Sequence, residues 1–127
     1  MIDPRKPLFI PVWILLIILP LATSMIAYFA LPDGTTLIPN HFDFSGNVTG
    51  WSSPSILFVL GGIMSGTNLL LAVCFFFTDK MYSLGMIHGV SRGNAPVVLL
   101  VCGVLMALLN AGIIVLILAM VPAPPAI

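Results

Sequence analysis

Three long, largely apolar runs, at about residues 8–31, 55–77 and 96–121, constrain this chain more than any other feature. Each is long enough, at about 1.5 Å per residue, to cross roughly 30 Å of hydrocarbon as a helix. None alternates as a barrel strand must. Inside a bilayer a segment has to satisfy its own backbone polar groups, so the runs predict helices. Composition excludes the soluble alternative, because 60% of the 127 residues are hydrophobic, 6% are charged and none is Glu. That is too little polar surface to coat a globule in water. The predicted fold class is an all-α membrane protein, one domain of three transmembrane helices. Pro32, Pro54 and Pro96 punctuate the runs and leave an outer loop over 32–54 and an inner loop over 78–95.

Orientation follows from four basic residues. Arg5 and Lys6 precede the first run, and Lys80 and Arg92 lie between the second and third. Lys and Arg are retained on the cytoplasmic side, which predicts a cytoplasmic amino terminus, an exposed 32–54 loop outside, and an extracytoplasmic carboxyl terminus. Trp13, Tyr82 and Phe75 to Phe77 are expected at the inner interface, and Tyr28 and Trp51 at the outer one. A cleaved leader is the alternative for the first run. The run is about twice the length of a signal h-region, and no small-x-small site follows it, so it is expected to stay. Net charge is zero and the basic residues are scattered, which excludes a nucleic-acid binder. Cys74 and Cys102 lie in apolar runs near the inner side and are expected as reduced, packed thiols.

Within the runs, Pro20 removes a backbone donor from the middle of the first and is expected to kink it. Gly62 and Gly66 in the second run, and Gly103, Ala107 and Ala111 in the third, are small residues at four-residue spacing. Such faces let helix backbones approach, each other or a partner. Asn68 and Asn110 sit near mid-span and are expected to bond between helices, each bond contributing about 0.6 to 2 kcal/mol. No ionisable residue lies deep in a run, which argues against an ion-coupled or proton-coupled transporter.

The outer loop carries the most information. Turn formers stand at Pro32, Pro39, Gly46 and Gly50, yet Ile38, Phe42, Phe44 and Trp51 are apolar. An ordered cap on the helix ends is the expectation. Ile38 to Phe44 reads as extended, with His41 and Asp43 on one side and Phe42 and Phe44 on the other. His41 has two readings: it bonds a loop carbonyl or Asp43 to hold the cap together, or it joins Asp33 and Asp43 in a ligand or metal site. Without a second His or a Cys the metal signature is weak, so no metal or other cofactor is predicted. The sequon Asn47-Val48-Thr49 is read as chance.

The order Leu31-Pro32, then Ile38-Pro39-x-His41-Phe42, then Gly46, then Gly50-Trp51, placed between the first two spans, resembles the domain of unknown function that opens the bacterial SdpI immunity proteins. Gly34-Thr35-Thr36 lengthens the spacing between the two Pro motifs relative to that pattern. The resemblance implies a multi-pass protein of the bacterial cytoplasmic membrane, linked to toxin self-protection or envelope signalling. On this reading Pro39, His41, Phe42, Asp43, Gly46 and Trp51 form the outer contact surface for a peptide, toxin or membrane partner.

The inner loop holds Asp79, Lys80, Tyr82, His88 and Arg92 among Gly85, Gly89 and Gly93, and reads as a connector whose cations anchor it at the headgroups. His41 with its Asp neighbours and His88 with Asp79 fall on opposite sides of the bilayer, so no nucleophile, base and orienting group assemble, and an enzyme is not expected. Two other functions stay open: an accessory subunit held through the small-residue faces, including as a homo-oligomer, and a small oligomeric transporter or channel.

Overall fold

The computed structural model describes residues 2–121. Its elements run α1 (Phe9–Ala30), β1 (Ile38–Phe42), β2 (Val48–Ser52), α2 (Ile56–Phe76), α3 (Thr78–Ser83) and α4 (Ala95–Ala119). Helices α1, α2 and α4 are long and apolar enough to cross a membrane, and their ends fall within two residues of the expected spans. The expected outer carboxyl terminus lies beyond the described residues.

Each long helix buries one narrow stripe. On α1 it is Trp13, Leu16, Pro20, Ser24 and Ala27; on α4 it includes Gly103, Ala107, Asn110, Ile114 and Ile117. The three-and-four spacing is that of one helix face. Only 22% to 28% of each span is buried, and the outward residues are Ile14, Ile18, Leu70, Leu105 and Val115 rather than polar ones. A helix apolar all round, with such a thin buried seam, suits lipid on its remaining faces. Helices α1, α2 and α4 each touch the other two, α1 and α2 most extensively.

Two clusters close the seam. At one end Trp13, Leu16, Ala72, Phe75 and Ala107 pack together, with the Trp13 and Phe75 ring centroids 5.4 Å apart. At the other, Ala27, Leu57, Ile114 and Ile117 surround Ile38 of β1. Trp13 and Phe75 are expected from sequence at a headgroup interface. Both lie near the helix ends on that side and are buried between helices, 1% and 0% exposed; Gly103 leaves space for the indole, since a Cβ there would lie 2.8 Å from the Trp13 ring. Gly103 and Ala107 lie in the buried stripe of α4, with Gly103 against α1 rather than against the Gly62 and Gly66 face. The expectation for Gly62 and Gly66 does not hold within the chain, since neither has an atom within 4 Å of a Cβ position. The glycine of α2 that packs is Gly61, where a Cβ would sit 2.6 Å from Ser24 Oγ.

The connector between α2 and α4 is more structured than a loop: Thr78–Ser83 forms a short helix. Cys74 and Cys102 are both free and half-buried.

Candidate functional site

The loop between α1 and α2 forms a β-hairpin. Strands β1 and β2 pair antiparallel, Ile38 with Ser52, Pro39 with Trp51, His41 with Gly50 and Phe42 with Val48, and the register shifts on both sides of His41. The shift leaves Asn40 as an extra residue on β1, whose side-chain amide donates to the Ser52 hydroxyl. Gly50 is required opposite it, because a Cβ there would stand 2.8 Å from Asn40 Oδ1 and 3.0 Å from His41 Cβ. Bulges of this kind twist a strand and re-aim its side chains.

Ile38 and Pro39 are fully buried, and Phe42 is half-buried against the same cluster. This inner side holds the hairpin on the helix ends, as an ordered cap should. The alternation expected over Ile38 to Phe44 stops at Phe42, because the chain turns at Asp43. Phe44 therefore does not share the side of Phe42; it is fully exposed at the hairpin tip, and Trp51 is 47% exposed.

Asp43 makes the turn. Its Oδ1 accepts the backbone N–H groups of Ser45 at 2.9 Å and Asn47 at 2.8 Å, and its Oδ2 accepts from Asn47 Nδ2 at 3.2 Å. Gly46 completes the turn at φ 85°, a conformation that L side chains avoid. The Asn47 backbone N–H is the main cause holding the Asp43 carboxyl below its ordinary 3.8, since these bonds favour the charged form. The structural reading of His41 bonding Asp43 is therefore corrected: the carboxylate is engaged by the turn. His41 is exposed, and no side-chain hydrogen bond to it occurs among the described residues. Among those residues, no three side chains of metal-ligating type come together.

A second polar group lies in mid-bundle, centred on Pro20. Proline has no N–H to give Leu16 O, the acceptor four residues back. Asn68 Nδ2 supplies it from α2 at 2.8 Å and also reaches Gly103 O at 3.2 Å. The following N–H, of Leu21, donates to Ser65 Oγ at 3.1 Å. From α4, Asn110 Nδ2 donates to Pro20 O at 3.1 Å and Thr23 Oγ1 at 3.0 Å. Asn68 and Asn110 are thus interhelical bonds, as expected, but each bonds α1 backbone near the proline rather than the other. Trp13 Nε1, Ser24 Oγ and both Asn Oδ1 atoms are buried without a protein partner.

Pro39, Phe42, Asp43, Gly46 and Trp51 are brought together with His41 in one hairpin, with separate duties: Pro39 and Phe42 anchor, Asp43 and Gly46 turn, His41 and Trp51 face outward. Phe44 is the outward residue missing from the expected contact set. Its signal was its place beside Asp43-x-x-Gly46, a turn pattern that puts it at a tip.

Residues 15–64 match the model of DUF1648, a domain of unknown function. The match runs from within α1, through the hairpin, into the first half of α2, so it includes the outer motif on which the family resemblance rests. Searches of the curated proteins and of the solved structures give no match.

Proposed function

We propose that this is a non-enzymatic, SdpI-like protein of the bacterial cytoplasmic membrane whose hairpin, outside the cell, engages a peptide, toxin or membrane partner in immunity or envelope signalling. The observation that carries the reading is the division of labour in the hairpin. Its inner residues are committed to the bundle, while Trp51 stands exposed on the strand ladder and Phe44 on the turn that Asp43 and Gly46 fix. Exposed aromatics on a rigid support are the side chains that dominate binding surfaces. The segregation of Arg5, Lys6, Lys80 and Arg92 at the other end supports an outward hairpin. The two His residues, His41 in β1 and His88 in the connector after α3, lie at opposite ends of the bundle, which supports a non-catalytic role.

Photocrosslinking amino acids placed at Phe44 and Trp51 in living bacteria test this. Discrete protein adducts are expected there and absent at lipid-facing Val59, and the adducts at Phe44 are expected to be lost on His41→Ala or Trp51→Ala with the helical content intact. Adducts to lipid alone at both hairpin positions would sink the proposal. Labelling of a cysteine at Ser45 by an impermeant reagent checks the orientation; protection in intact cells reverses it.

A second reading, an accessory subunit or homo-oligomer, draws on the open backbone at Gly62 and Gly66. Native mass measurement in mild detergent is expected to give a complex that Gly62→Ile dissociates. Monomer alone removes this reading.

A further inference from the structure

The end of the bundle opposite the hairpin carries a cleft of about 450 Å³ between the amino-terminal turn, the start of α3 and the residues just before α4. Asp3, Asp79, Arg92, Thr78, Ile2 and Pro96 line it. Thr78 follows α2 and Pro96 opens α4, so the cleft sits where the spans end, at headgroup height.

The charges in the cleft are arranged but not mutually neutralised. Arg92 is held from α3: its Cζ lies 5.0 Å from the Tyr82 ring centroid, and Nη2 donates to Ser83 Oγ at 3.2 Å. Tyr82 is itself fixed, its hydroxyl donating to Val90 O at 3.0 Å. Most of the five guanidinium N–H groups therefore remain available. Among the described residues the one ion pair is Arg5 Nη2 to Asp79 Oδ2, at 3.6 Å, so Arg92 lines the cleft beside two carboxylates without pairing to either. Asp3 Oδ1 accepts the Arg5 backbone N–H at 3.0 Å. Its Oδ2, and Oδ1 of Asp79, take no hydrogen bond among the described residues.

We infer that this cleft binds a phosphoethanolamine headgroup of a zwitterionic phospholipid, its phosphate on Arg92 and its ammonium on Asp3 and Asp79. A guanidinium suits phosphate oxygens, and an ammonium with three N–H donors suits paired carboxylate acceptors. The lining carries Asp3, Asp79 and Arg92; with Arg5, which reaches Asp79 from outside the lining, the charges sum to zero, like those of the headgroup. A choline headgroup has no N–H to donate. A glycerol headgroup brings a bare negative charge to two carboxylates. Ile2, which packs on the Trp13 cluster, and Pro96 give the cleft an apolar wall toward the spans.

Native mass spectrometry of the full chain in mild detergent tests the inference, with equimolar phosphatidylethanolamine, phosphatidylcholine and phosphatidylglycerol. Preferential retention of the ethanolamine lipid is expected, reduced about tenfold by Arg92→Gln or Asp79→Asn, each of which removes one charge-assisted bond. Lys80→Gln, outside the cleft, leaves retention unchanged. Unaltered far-ultraviolet circular dichroism and Trp13 fluorescence establish that each variant is folded. Equal retention of the three lipids, or an ethanolamine preference that survives both cleft variants, overturns it. So does an equal loss with Lys80→Gln, which marks general attraction, and so does soluble phosphoethanolamine binding as tightly as the lipid.

Discussion

Asn68 and Asn47 are the same side chain in two solvents. Asn68 is completely buried, and its amide reaches carbonyls 52 and 35 residues away in sequence. Asn47 is exposed, and its amide reaches Asp43, four residues back. In the hairpin, water competes for every donor, so only bonds made at little entropic cost by near neighbours persist. In mid-bundle there is no water to fall back on, and a carbonyl freed by Pro20 must be met by whatever helix lies opposite. The hairpin is consequently local in its polar chemistry and the mid-bundle polar group around Pro20 is tertiary.

The largest test of that contrast is Asn68→Leu. It leaves Leu16 O unpaired, and stability in detergent or bicelle unfolding is expected to fall by about 1–3 kcal/mol. Pro20→Ala restores an N–H to the same carbonyl, so the loss from Asn68→Leu in that background should shrink by about 1 kcal/mol. Strict additivity of the two changes would mean that the asparagine does not serve the proline.

Gly61→Ala comes next. Its Cβ would stand 2.6 Å from Ser24 Oγ and 3.1 Å from the Leu21 backbone, and overpacking of that kind costs about 1–3 kcal/mol. Gly62→Ala, one position away with open space around it, is expected to stay within about 0.5 kcal/mol of the parent. Equal effects would erase the distinction between the packed and the outward face of α2.

Gly50→Ala should act on the hairpin alone. Faster amide exchange across β1 and β2 is expected, with the exchange of α1 and α2 unchanged, because the clash is with Asn40 and His41. Faster α-helical unfolding or broad loss of helix protection would tie the hairpin to the bundle more tightly than its local bonding implies.

The smallest effect is the titration of Asp43. Its folded carboxyl lies below the ordinary 3.8, so the turn has its full contribution above that value and loses it as pH falls through the lowered one. The Ser45 and Asn47 amide resonances should hold steady from neutral pH down to the ordinary carboxylate range and move only below it. In Asp43→Asn that acid transition should disappear, with global stability unchanged. Movement at higher pH would assign the titration to another group.

The spans were legible because hydropathy runs end at breakers: Leu31-Pro32, Pro54 and Pro96 stand within two residues of the observed helix ends. The cap was half legible. Ile38 and Phe42 were recognisable as inward residues, but the partner strand Val48–Ser52 and the bulge at Asn40 were not, since pairing register depends on contacts across the turn. Helix α3 was missed because six residues carry too little periodicity to register. Of the small-residue faces, Gly103 and Ala107 are buried in the seam, with Gly103 against Trp13 of α1. Gly62 was preferred to Gly61 because spacing alone cannot say which side of an all-apolar helix meets its neighbour.

By itself the sequence determined that this chain has three apolar helices, where they begin and end, and that an apolar-studded loop links the first two; each depends on local composition measured against hydrocarbon. Only the tertiary structure decided that Trp13 is an inner packing residue, that Asn68 answers Pro20, that Asp43 belongs to a turn rather than to His41, and that Phe44 stands free. Helices apolar on every side carry no stripe from which rotation can be read. The seam is set by where Gly61 and Gly103 admit Ser24 and Trp13, and by which side chains reach the backbone groups that Pro20 leaves open.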